Sequence, residues 1–263
     1  MFVKFNQKLP EYEVICPQSK KSFTIRSMNV SGEENLKGSF IISVKMIEHL
    51  NRCIFDSIVT FPPDIQNFED FLQKVSTIDR GALLYGLYHI TYGEIRNYDI
   101  TCGACENSYS VTIKSDDTFH IKPYDGEDDL YIKIIPVPLE VFSNVVAYVK
   151  QPNLKEEFET LKVFSPQLGN QTGIANDILI IDKIEERNDA GDTINLYTSK
   201  NDLVDAYRNL SPKDKRIIHR AYENNFGQYA VSLKMKSSCT KCGAVEDVTI
   251  DLVTQFLRMV WSV

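Results

Sequence analysis

Two cysteine pairs constrain this chain more than any other feature. Cys102-Gly-Ala-Cys105 is followed, six residues after its second cysteine, by Val111-Thr112-Ile113, and Cys239-Thr-Lys-Cys242 by Val248-Thr249-Ile250 at the same offset. A CxxC turn aims two thiolates at one point, and two such turns supply the four ligands of one tetrahedral structural zinc ion. The strand-forming residues after each pair fit a zinc ribbon, in which two hairpins meet through the metal. Common ribbons keep their pairs closer than the 133 residues between Cys105 and Cys239. The ribbon predicted here is therefore discontinuous and staples the middle of the chain to its C-terminal part.

Separate redox or disulfide use of each pair, and plain unliganded thiols, are the alternatives. A thioredoxin-like motif places CxxC at the start of a helix after a strand, whereas both pairs here precede strand-like residues, which disfavours redox chemistry. Four thiolates would leave no coordination position open to activate water, so the predicted metal is structural. Its removal should loosen the helices strung between the two turns.

Composition narrows the rest. With 43% hydrophobic residues in a chain of 263, the protein must fold, and it is long enough to build a core without disulfides. Lys and Arg total 29 against 36 Asp and Glu, a balance that argues against a general phosphate-backbone binder. No stretch approaches the ~20 apolar residues of a membrane span. Met1-Phe2-Val3-Lys4 lacks the order of a signal peptide, so the sequence reads as made and folded in a cytoplasm, where thiols stay reduced.

Along the chain, residues 12–15 and 22–26 alternate as an N-terminal hairpin, and Ser31-Gly32-Glu33-Glu34 predicts a capped helix start at Ser31. Ile47, Leu50, Ile54 and Ile58 recur at helical spacing beside Cys53, and Phe68 to Val75 marks a short helix. Asp79 to Tyr92 is apolar on most sides and reads as a buried central helix, with His89 a satisfied interior histidine. Strands flank the first pair, and the acidic run from Asp116 to Asp129 reads as a solvated loop. Residues 130–138 suggest a strand, and 139–149 fit helix or strand equally. Residues 154–161 and 174–184 predict helices, with a loop at 188–192. Ser199 or Asn201, then Ser211-Pro212, cap two more, and Tyr229 to Met235 leads as a strand into Cys239. The predicted fold is α+β: one domain over 1–263, mostly helical, with short antiparallel strands. It comprises a hairpin (1–30), helices (31–94), the first zinc knuckle and strands (95–150), helices (151–228), and the second knuckle with a C-terminal helix (229–263).

No phosphate loop, HExxH, GxSxG or kinase-like set is present, and the four histidines lack metal-ligand spacing, so nothing marks an enzyme. His219, beside Arg216 and Arg220, reads as part of a solvated basic face. Lys234, Lys236 and Lys241 near the second knuckle keep one alternative open, a zinc-ribbon nucleic-acid or transcription-associated protein, although Asp99 and Glu106 flank the first.

The order of features resembles the base plate protein family of T-even-type contractile-tailed phages. The resembling positions are Cys16-Pro17-Gln18-Ser19-Lys20-Lys21 with Phe23-Thr24-Ile25-Arg26, then Ser31 to Leu36, Asp79 to Tyr92, the first CxxC, the helices at Ser199 and Ser211, and the closing CxxC leading to Phe256. The resemblance implies a non-catalytic structural or assembly component of a tail baseplate hub. Its partners would be other hub or tail proteins, with a homo-oligomer allowed and no nucleic acid or membrane involved. It would act in the host cytoplasm during assembly and in the virion tail. The C-terminal Phe256, Met259, Val260 and Trp261 are candidates for a partner contact, since aromatic and Met side chains are enriched at interface cores; packing on the protein's own core is the alternative.

Overall fold

The computed structural model describes residues 8–36, 44–93, 97–112, 119–127, 129–164, 172–250, 252–253 and 256. Over those residues it is mixed α+β, 42% helix and 27% strand, so sheets take a larger share than the sequence reading expects. Two apolar clusters organise it, one built on the N-terminal third and one on the chain from about residue 124 to 230.

The N-terminal cluster forms around a three-stranded antiparallel sheet of β1 (Glu11–Ile15), β2 (Ser22–Arg26) and β3 (Ile58–Thr60). Val14, Phe23 and Ile25 point inward, as the period of two requires, and meet the apolar stripe Ile47, Leu50 and Ile54 of α2 (Val44–Ser57). Ile58 continues that stripe in sequence but opens β3, paired with Ile25. The first helix, α1 (Val30–Leu36), begins before Ser31. Asn29 Oδ1 accepts from the Gly32 N–H at 2.9 Å, so Asn29 supplies the cap expected of Ser31.

Asn67 caps α3 (Phe68–Lys74), and Ser76 caps α4 (Thr77–Tyr92), which is buried over most of its surface, as expected. At Gly86 a Cβ would lie 2.3 Å from Val14 Cγ2, so β1 rests directly on α4 only because no side chain stands there. His89 is half-buried between the rings of Tyr12 and Tyr85, and its Nδ1 finds no hydrogen-bond partner among the described residues.

The second cluster packs α5 (Leu154–Phe164), α6 (Thr172–Leu179), α7 (Lys200–Asn209) and α8 (Pro212–Asn225) on a four-stranded antiparallel sheet. Its order is β10 (Thr193–Tyr197), β9 (Ile181–Arg187), β8 (Val145–Lys150) and β7 (Ile134–Pro138). The helix expected over 174–184 therefore ends at Leu179. Ile181 and Ile184 stay buried from a strand, because a bulge in the β8–β9 pairing keeps both on the core side. The ambiguous 139–149 resolves as a turn followed by β8. Ser199 and Ser211 cap α7 and α8 as predicted, with Pro212 in the first turn. Nor is His219 a free solvated cation: Nε2 lies 2.9 Å from Asp177 Oδ1, joining α8 to α6, and that contact raises its pKa.

Two further hairpins carry the cysteine pairs: β4 (Asn97–Thr101) with β5 (Ser108–Thr112), and β11 (Ser232–Ser238) with β12 (Val245–Ile250). A two-residue strand, β6 (Phe119–His120), pairs with β11, and Gly227–Tyr229 forms a 3₁₀ turn where the sequence suggested the strand had begun. Phe256 is 0% exposed and lies edge-on to Tyr92 at 6.2 Å. Its ring belongs to the chain's own core, which corrects the partner-contact expectation for this residue; Met259, Val260 and Trp261 lie outside the described residues.

Candidate metal centre

Each CxxC occupies the turn of an antiparallel hairpin, and the two turns share one hydrogen-bond pattern. The Cys102 N–H donates to Asn107 O at 3.0 Å and the Glu106 N–H to Cys102 O at 2.9 Å. In the second hairpin the Cys239 N–H donates to Ala244 O at 2.8 Å and the Gly243 N–H to Cys239 O at 2.9 Å. The fifth residue of each turn has a left-handed backbone, Glu106 at φ 57° and Gly243 at φ 74°. Strands leave each turn at the same offset, which is why the Val-Thr-Ile echo was visible in sequence.

The hairpins bring all four sulfurs within 4.8 Å of one another. Cys102 Sγ lies 3.7 Å from Cys242 Sγ, and Cys105 Sγ 3.7 Å from Cys239 Sγ. Both contacts cross between hairpins, and both are far longer than the ~2.05 Å of a disulfide. Four thiolates holding an ion tetrahedrally at ~2.3 Å space their sulfurs about 3.8 Å apart, so the observed separations fit that donor set. Cys102 and Cys239 are buried, Cys105 is half-buried and Cys242 exposed, so the cluster sits at the surface with two ligands anchored inside. No helix starts at either pair, which leaves the thioredoxin-like alternative without its geometry.

Backbone amides tune the sulfurs. The amides of Cys242 and Lys241 point at Cys239 Sγ, the latter at 3.4 Å, and hold this thiol down at about 6. At Cys105 the Asn107 amide acts in the same direction, but the neighbouring thiols outweigh it and push the group up to about 12. A compact set of thiols resists losing all its protons to water; a bound cation would take their place.

The sequence reading missed two residues here. The Gly103 N–H donates to Glu246 Oε1 at 2.8 Å, and Cys102 Sγ lies 3.6 Å from the same oxygen, so Glu246 of β12 grips the opposite turn. Tyr109 packs against Cys102 and Cys239 with its hydroxyl unpartnered among the described residues. Neither has a spacing signal that sequence alone could carry. The lysines weighed as a nucleic-acid footprint, Lys234, Lys236 and Lys241, are exposed.

Fold and site together define a mixed α+β protein clasped by a four-cysteine cluster able to hold a metal ion. A sequence model of the family described as T4 bacteriophage base plate protein matches residues 9–258, nearly the whole chain. The chain belongs to that family and is a structural component of a phage baseplate, a part of the virion tail. No curated protein and no solved structure matches it. None of the helices among the described residues is long and apolar enough to cross a membrane.

Proposed function

We propose that this chain is a non-catalytic structural or assembly component of the baseplate hub, with one structural zinc ion at Cys102, Cys105, Cys239 and Cys242. The observation that carries the reading is the pair of 3.7 Å sulfur contacts between hairpins far apart in sequence. Among biological divalent ions, zinc is the one that four thiolates in a closed tetrahedron suit best. With every position filled by sulfur, such an ion stabilises and does not catalyse.

The work of the protein is then contact with other hub or tail proteins, with copies of itself arranged about a common axis in one version of the assembly. Assembly in the bacterial cytoplasm suits the site, because a reducing compartment keeps thiolates available. Met259, Val260 and Trp261 are the proposed partner contact; Phe256 is spent on the core.

Metal content of the purified protein tests this reading, alongside Cys105→Ser and Cys242→Ser. About one zinc per chain, lost in both variants, together with comigration of the protein with tail assemblies, supports it. Absent metal with thiols turning over, or salt-sensitive binding to DNA or RNA, overturns it in favour of a redox or nucleic-acid role.

A further inference from the structure

The turn of the N-terminal hairpin repeats the two cysteine turns bond for bond. Its strands end and restart at the same offsets, Ile15 just before Cys16 and Ser22 six residues after it. The Cys16 N–H donates to Lys21 O at 2.9 Å, the Lys20 N–H donates to Cys16 O at 3.0 Å, and Lys20 has φ 57°. Those are the bonds and the left-handed residue found at Cys102 and Cys239. The fourth position of the turn, cysteine in the other two, is Ser19.

What the turn holds differs. In the cysteine turns the amides of the third and fourth residues point at the sulfur of the first: Lys241 and Cys242 at Cys239, Ala104 and Cys105 at Cys102. Here the third and fourth amides turn to a carboxylate from another element. The Gln18 N–H donates to Asp79 Oδ1 at 2.9 Å and the Ser19 N–H to Asp79 Oδ2 at 3.1 Å, while the Tyr131 hydroxyl donates to Oδ2 as well. Cys16 Sγ, buried, donates to the Asp79 backbone carbonyl at 4.0 Å.

Around this carboxylate lies a buried polar network that spans both apolar clusters. The Ser76 hydroxyl donates to Gln18 Oε1 at 2.7 Å, and Gln18 Nε2 donates to Gln151 Oε1 at 3.1 Å. Gln151 also accepts from the Tyr222 hydroxyl at 3.3 Å, and the Tyr124 N–H donates to Pro17 O at 2.8 Å. Gln18, Ser76, Asp79 and Gln151 are each at most 3% exposed. Cys16 and Phe23 belong to the first cluster and Tyr124 to the second, Tyr222 packs against the second, and Gln151 directly follows β8 of its sheet, so the turn sits at their junction.

We propose that the β1–β2 hairpin is a third knuckle, a carboxylate-binding one, in which the amides of Gln18 and Ser19 hold Asp79 where its sisters hold a metal. This metal-free clasp joins the two halves of the body, while the four-cysteine cluster joins only β4–β5 to β11–β12. Stripping metal should therefore loosen two hairpins and spare the helices between them, narrowing the wholesale loosening that the sequence spacing suggests.

Amide hydrogen exchange on the intact protein tests this, with and without a zinc chelator, and on Asp79→Asn and Tyr131→Phe. Chelation should raise exchange at residues 102–107 and 239–244 about tenfold or more and leave Gln18 and Ser19 protected. Asp79→Asn should raise exchange at Gln18 and Ser19 about tenfold or more, since a charged acceptor becomes neutral, with metal per chain unchanged. Tyr131→Phe, which keeps the carboxylate, should do the same more weakly and decides the matter if Asp79→Asn fails to fold. The proposal fails if chelation exposes Gln18 and Ser19 together with the cysteine turns, or if both variants leave these amides as protected as before. A protein purified without metal would sink the zinc reading alone, leaving the Asp79 and Tyr131 variants to decide this one.

Discussion

Glu106 and Gly243 occupy the same place in two turns that face each other across the cysteine cluster, and both have left-handed backbone, at φ 57° and 74°. Glycine adopts this conformation freely and glutamate does so at a cost of roughly 1 kcal/mol. Glu106→Gly should therefore be neutral or stabilising despite its added unfolded-state entropy, and Gly243→Ala should destabilise by about 1–2 kcal/mol. Thermal unfolding at constant metal content checks both.

Cys102→Ser and Cys239→Ser should lose metal and solubility to the same degree, because each removes one ligand from the same cluster. Cys53 lies in the core with Sγ 3.1 Å from Met28 Sδ, remote from the cluster, so Cys53→Ser should keep full metal content and cost only about 1–2 kcal/mol for burying a hydroxyl. Elemental analysis of the three variants, with urea unfolding, separates the two outcomes; equal metal in all three would dissolve the shared site.

Arg80 of α4 grips Glu157 of α5 through both terminal guanidinium nitrogens, the Nη2 contact at 3.0 Å, and both side chains are largely buried. Arg80→Met strands the carboxylate and should cost about 3–5 kcal/mol. Adding Glu157→Leu should restore much of that loss, and a double-mutant cycle by chemical denaturation measures the recovery. A double variant as unstable as the single one would show that the pair itself, and not the orphaned charge, matters.

Glu185 accepts from Lys183, Arg187 and the Tyr148 hydroxyl at 2.6–2.8 Å, and these contacts hold its carboxyl down at about 2. The unfolded value is about 4.3, so the folded state binds this proton less readily and gains stability wherever the group is ionised. That contribution is complete above about pH 4.3 and drains as the pH falls toward 2. Glu185→Gln should flatten the acid limb of a stability profile in that window and leave its slope near neutral pH untouched.

Asp214 illustrates which parts of the fold were legible. It caps α8 together with Ser211, and Ser-Pro followed two residues later by Asp announces such a start in any sequence. Its other partners, the amides of Glu140 at 2.8 Å and Val141 at 3.0 Å, come from a turn seventy-odd residues earlier and carry no local signal. The same division runs through the molecule. Ser199, the stripe on α2 and the paired CxxC turns are local patterns and were readable. Ile181 and Ile184 mimic helical spacing because a bulge lies between them in the strand, and Asn29 displaces Ser31 because two capping residues lie within one turn. The β1–β2 turn carries no CxxC signal because Ser19 stands at its fourth position, although Cys16 and Ser22 keep the six-residue step of the other two turns.

The four-cysteine cluster draws its two halves from positions with 133 residues between them, and a ribosome makes them in order. Cys102 and Cys105 emerge first, and for the whole of that interval they are a half-site with two thiols. A chain that stops anywhere before Cys242 never completes the set. Completion of the four-thiol set is thus a certificate of length: only a chain made past Cys242 can bring these sulfurs together.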